Sequence, residues 1–172
     1  SGRTSDCVMS VRNCSQYTIC DIPPAIFLSY KRLRSSFPQK KITLLIDEND
    51  PKKLIKKIKS SDISFIFPHQ LELITEKFYD ITIAIDCLHE MDHETLKYYF
   101  KNISLISNKV YFSIWKKVKN WYSGGFLKKT EKLDFDDNDY PIPKKWRLKI
   151  KKELRFPSSF YGVGYTIPKK FL

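Results

Sequence analysis

The chain has 172 residues, long enough for one domain with a real core, and its 42% apolar and 15% aromatic content excludes a disordered tail. No apolar run approaches the roughly 18 residues of a membrane span, and no signal-peptide core opens the chain, so it reads as soluble and cytoplasmic with no membrane partner. The net charge of +12 points toward nucleic acid, but lysine outnumbers arginine 25 to 6, whereas bidentate phosphate and guanine recognition favours arginine, so a nucleic-acid partner is disfavoured.

In chain order, residues 4–13 predict a short helix and Tyr17-Thr-Ile-Cys-Asp21 a short buried strand. Pro23-Pro24 opens a helix at its first turn, where proline's missing N–H costs nothing. Ile26, Tyr30, Leu33 and Phe37 recur along one face of that helix until Pro38 stops it. Residues 41–47 are a strand, and Asp50-Pro51 caps a helix with Leu54, Ile55 and Ile58 inward. Ser64-Phe-Ile-Phe67 is strand again, closed by Pro68, and residues 71–77 form a helical connector. Ile81-Thr-Ile-Ala-Ile85 is the most apolar strand. Asp92 caps a long helix whose Leu96, Tyr99, Ile103 and Ile106 face the sheet, and residues 110–115 form the next strand. Strands that alternate with helices and carry continuous apolar runs predict a mainly parallel sheet covered on both faces. The basic tracts 52–59 and 144–155 alternate with core residues, as solvated faces do. Cys7, Cys14, Cys20 and Cys87 show no C-x-x-C pair or zinc-ribbon spacing, and Cys20 and Cys87 sit at strand ends where small thiols pack.

The last third changes character. Residues 116–145 are polar and aromatic, with Gly124-Gly125 and no sustained period, and read as an irregular segment suited to a lid or to acceptor recognition. Within it, Asp134-Phe-Asp-Asp-Asn-Asp139 lacks the turn glycine and terminal glutamate of a calcium loop and reads as solvated. Trp146, Leu148, Ile150, Leu154 and Phe156 then alternate with charged residues, and Tyr161-Gly-Val-Gly-Tyr-Thr-Ile167 returns, which predicts an antiparallel hairpin. Trp115, Trp121, Tyr122, Trp146 and Tyr161 fit either a sugar-stacking wall or a core.

Ligands of open α/β sheets sit beyond the carboxyl ends of the strands. Three such ends here are polar: Asp21, placed to accept both hydroxyls of a ribose; Pro68-His69-Gln70, able to reach a base; and Asp86-Cys-Leu-His89-Glu90-Met91, a dense ionisable group. The alternation and the final hairpin resemble class I S-adenosylmethionine-dependent methyltransferases. Within them, Tyr17-Thr-Ile-Cys-Asp-Ile-Pro-Pro24, Phe65-Ile-Phe-Pro-His-Gln70, Ile85-Asp-Cys-Leu-His-Glu-Met91 and Tyr98-Tyr-Phe100 resemble the sugar O-methyltransferase family, over roughly residues 1–115. The resemblance implies a Rossmann-like α/β fold, S-adenosylmethionine as cofactor and a sugar or glycan hydroxyl as acceptor. It implies Asp21 on the cofactor ribose with Ile22 in the same cofactor-binding segment, and His69 and Gln70 near adenine. His89, Glu90 and Asp86 fall beside the methyl-transfer point: His89 as candidate general base, Glu90 orienting it or binding the acceptor, Asp86 as second base.

The family begins with a strand and a glycine-rich turn whose backbone approaches the cofactor. Ser1-Gly2-Arg3 resembles the tail of that turn, which makes Gly2 a cofactor-binding candidate and implies a single domain, residues 1–172, without its first strand. On that expectation the central slot between the strands ending at Asp21 and Asp86 is unfilled. The chain as it stands then binds the cofactor poorly, is itself inactive as an enzyme, and associates into homo-oligomers through exposed strand edges.

The rival reading is literal. His89-Glu-Met-Asp-His93 matches H-E-x-x-H, the zinc-hydrolase signature, which needs both histidines on one face of a continuous helix. Asp92 is the natural cap of the helix that follows, which puts His89 in a loop and His93 in the first turn. The expectation is no metal site. The same strand ends would also suit a nucleic-acid methyltransferase or a non-catalytic Rossmann-like remnant.

Overall fold

The computed structural model describes residues 2–12, 14–85, 87–115, 117–118, 135–136, 140–147, 149–155 and 161–166. The chain divides into two compact units, Ser1–Thr75 and Glu76–Leu172.

In the first unit, α1 (Arg3–Val11) starts from Gly2, whose φ of 67° lies in the left-handed region. A Cβ on Gly2 would come within 3.1 Å of Ser29 Cα, so glycine serves both the turn and the close approach of α1 to α2 (Ala25–Ser36). On the outer side Arg32 donates to the Asp6 carboxylate at 2.7 Å. Three parallel strands, β1 (Tyr17–Cys20), β2 (Ile42–Leu44) and β3 (Ile63–Ile66), stand in the order β1-β3-β2. All four residues of β3 are buried, as a strand between two neighbours and two covered faces requires. Ile26 and Leu33 of α2 pack on Ile19, Ile63 and Phe65, and the Tyr30 ring meets Phe65 edge-on at 5.4 Å. Each such fully buried side chain contributes about 1.5–3 kcal/mol over its exposed state. In α3 (Pro51–Lys59), Asp50 accepts from Lys53 N at 2.9 Å, proline occupies the first turn, and Leu54 and Ile58 are buried. Ile55, expected inward with them, is half-buried.

In the second unit, β4 (Tyr79–Ala84) pairs in parallel with β5 (Ser107–Trp115), and α4 (His93–Ile106) joins them. Two short strands, β6 (Lys117–Val118) and β7 (Phe135–Asp136), pair antiparallel. The final hairpin, β8 (Lys149–Arg155) and β9 (Tyr161–Thr166), is antiparallel as its alternation predicts, and β9 rather than β8 lies against β5, giving β4-β5-β9-β8. Leu96, Phe100 and Ile103 of α4 pack on Ala84, Val110 and Phe112. Lys77 Nζ donates to the carbonyls of Ser104 (2.7 Å) and Ser107 (2.6 Å), satisfying the end of α4 with a cation where the helix dipole favours one.

Several expectations shift. The strands expected in one sheet form separate ladders: among the described residues no pairing joins β1, β2 or β3 to β4 or β5. The connector expected at 71–77 is instead a 3₁₀ segment, Pro68–Leu73, because the proline starts it early. The strand expected over 41–47 stops at Leu44, where the chain turns and Glu48 N donates to Leu45 O at 3.1 Å. Trp146 precedes the hairpin instead of opening it. It packs on Phe100 and Phe112 with centroids at 5.7 and 6.1 Å, and its Nε1 donates to Ser104 Oγ at 3.1 Å, so it belongs to the core. Trp121, Tyr122 and most of the acidic run lie outside the described residues.

Candidate functional site

At the carboxyl edge of the first sheet, Cys20 stands opposite Ile66 in the parallel register of β1 and β3. The next residues, Asp21 and Phe67, therefore leave adjacent strands side by side, about 5 Å apart. Asp21 N donates to Ile66 O at 3.4 Å, and one carboxylate oxygen accepts Ile22 N at 2.8 Å. Among the described residues nothing else bonds that half-buried carboxylate. Ile22, directly after the acid, is 58% exposed, and Phe27 and Leu28, in the first turn of α2, are 43% and 60% exposed. Burial pushes the Cys20 thiol up to about 12, and the neighbouring Asp21 charge acts in the same direction.

Phe67 leads into the 3₁₀ segment, with Pro68 in its first turn. His69 is exposed, its ring 6.0 Å from that of Phe67. Gln70 is completely buried: its Oε1 accepts Phe67 N at 2.7 Å, and its Nε2 donates to Leu45 O at 2.7 Å and Glu48 O at 2.6 Å. Both amide hydrogens are thus committed to the chain, and His69 is the side chain the turn presents outward. The sequence does carry a signal for this, separate from the strand-end pattern: glutamine at the third helical position is where a side chain reaches back to the cap N–H. The Leu45–Glu48 turn that receives the amide has no comparable local signature. Gly2, the remaining candidate in this unit, packs against Ser29.

In the second unit β4 ends at Ala84 and Ile85 is 42% exposed. Asp86 lies outside the described residues. A single 3₁₀ turn, Leu88–Glu90, carries His89 between Leu88, anchored in the core at 2% exposure, and Glu90, which is exposed. Met91 (φ −107°, ψ 149°) and Asp92 (φ −71°, ψ 167°) are extended, and α4 begins only at His93. Asp92 accepts Thr95 N at 2.7 Å, and that bond holds its carboxyl below the usual carboxylate range. The two histidines of H-E-x-x-H therefore sit on separate helical segments with extended backbone between them. The candidates fall into two groups, Gly2, Asp21, Ile22, His69 and Gln70 in one unit and Asp86, His89 and Glu90 in the other.

No family model matches the chain, and no curated protein matches its sequence. Solved structures do. The chain is similar to the PH0226 protein from Pyrococcus horikoshii OT3, at 14% identity and a TM-score of 0.50, over 96% of this chain and 87% of that one. The fold is Rossmann-like α/β. Weaker similarities join it to a Sulfolobus solfataricus protein named for the type 11 methyltransferases (16% identity, TM-score 0.43, 99% of this chain and 94% of that one) and to PigF, solved with SAH (11%, 0.41, 92% and 53%). At such identities the likeness is one of fold.

Proposed function

We propose that the protein is an S-adenosylmethionine-dependent methyltransferase acting on the hydroxyl of a sugar or glycan. What carries this reading is the first strand-end group: Asp21 and the Phe67–Gln70 turn on adjacent, in-register parallel strands, with an exposed Ile22 next to the acid. These residues fit the cofactor's nucleoside. Asp21 has a carboxylate oxygen to offer a ribose diol, Ile22 an apolar surface for a flat base, and His69 a ring at its edge. Bound there, the cofactor supplies an activated methyl group.

The rest falls to the chain. Methyl transfer is an in-line displacement, so the protein chiefly orients the acceptor hydroxyl and removes its proton. His89 is assigned that proton, with Glu90 orienting it or holding the acceptor and Asp86 as the second base. The sugar as acceptor rests on the resemblance of the Asp-Ile-Pro-Pro, Pro-His-Gln and His-Glu-Met segments.

Calorimetric titration of S-adenosylmethionine into the full-length protein tests the nucleoside assignment. Asp21→Ala weakens binding by about 1–3 kcal/mol, the worth of charge-assisted hydrogen bonds. Unchanged affinity in a folded Asp21→Ala variant removes Asp21 from the site.

A further inference from the structure

We infer that Gln70 is a positioning residue of this site: it sets the Phe67–His69 turn beside Asp21 and makes no contact with the ligand. This rests on the cofactor reading above. The buried amide reaches three places at once, the N–H of Phe67 and the carbonyls of Leu45 and Glu48, at 2.7, 2.7 and 2.6 Å. The two carbonyls belong to the turn that follows β2, and Phe67 is the residue leaving β3. One side chain therefore ties two strand ends together on the edge where Asp21 emerges.

The tie continues outward. The Glu48 side chain receives Lys57 Nζ at 2.5 Å and Asp50 N at 3.2 Å, and Asp50 caps α3. The loop that Gln70 holds is in this way referenced to a helix packed in the core, and His69, one residue away, inherits that fixed frame. Glutamate in its place presents an acceptor to two carbonyls, and leucine leaves an N–H and two carbonyls without these partners.

The test uses the full-length protein and S-adenosylhomocysteine as probe, with thermal midpoint and calorimetric affinity measured for wild type, Gln70→Glu, Gln70→Leu and Leu54→Ala. Leu54 is fully buried on α3, so its truncation destabilises the same unit without touching the turn. At a temperature where all are folded, the Gln70 variants bind at least about tenfold more weakly than Leu54→Ala for a similar loss of midpoint, a split that a purely structural role would not produce. In the wild-type complex the Gln70 side-chain amide protons exchange slowly and show no nuclear Overhauser contact with the base, a readout that stands even if the variants fail to fold. Equal affinities of the Gln70 and Leu54 variants, or contacts between that amide and the base, overturn the inference and leave the cofactor reading standing. Absence of binding by the wild type overturns both.

Discussion

Asp92 is a single carboxylate with a defined local task. Its extended backbone and its 2.7 Å bond from Thr95 N end the loop after His89 and start α4. The same bond lowers its pKa in the folded protein. A depressed carboxylate pKa adds stability above the unfolded value of about 3.9, and that stability is lost as pH falls through the folded pKa. Asp92→Ala is expected to cost about 1 kcal/mol near neutral pH, the ordinary worth of a cap once solvent screening discounts the charge. The gap from wild type should shrink toward acid, and Asp92→Asn should recover most of it. Denaturant melts across pH check this, and a gap that stays constant into acid would show that the carboxylate charge has no part. At this scale the sequence is legible where the partner is local: an aspartate before an apolar periodic run names its own acceptor geometry. The hydrogen bonds of Gln70 are not legible in this way, because two of its partners lie 25 and 22 residues away.

Among the elements, the break between the Leu88–Glu90 turn and α4 bears on the H-E-x-x-H reading. Zinc chemistry of that type needs histidines one helical turn apart on a continuous helix, and here Met91 and Asp92 are extended. The purified full-length protein is therefore expected to carry no stoichiometric zinc. Metal analysis finding one zinc per chain, lost in both His89→Ala and His93→Ala, would reverse the ranking of hydrolase and transferase. The hairpin teaches a complementary point. Its period-2 alternation predicts two strands correctly, yet Trp146 leaves the pattern because a ring against Phe100 and Phe112, with its N–H on Ser104, buries more surface than an edge position offers.

For the whole molecule, the distribution of strand edges matters most. Among the described residues β1 pairs only with β3 and β4 only with β5. β1, Tyr-Thr-Ile-Cys, has no charge, proline or bulge to discourage pairing, and such an edge is a template for another strand. The 172-residue chain is expected to associate reversibly in a concentration-dependent way. Sedimentation velocity over a wide dilution series checks it, and a monomer at every concentration would show that these edges are shielded.

The sequence by itself determined what depends on near neighbours: the alternation of helices and parallel strands, the closing hairpin, the caps at Asp50 and Asp92, and hence the division of His89 from His93. Each follows from periodicity or from a side chain meeting backbone a few residues away. Only the tertiary structure decided the order β1-β3-β2, which sets Asp21 beside Phe67, the commitment of the Gln70 amide to the turn after β2, and the place of Trp146 in the core. Apolar pattern records that a residue is buried but not which distant carbonyl or ring arrives to meet it, and hydrogen bonds and ring packing are settled by that arrival.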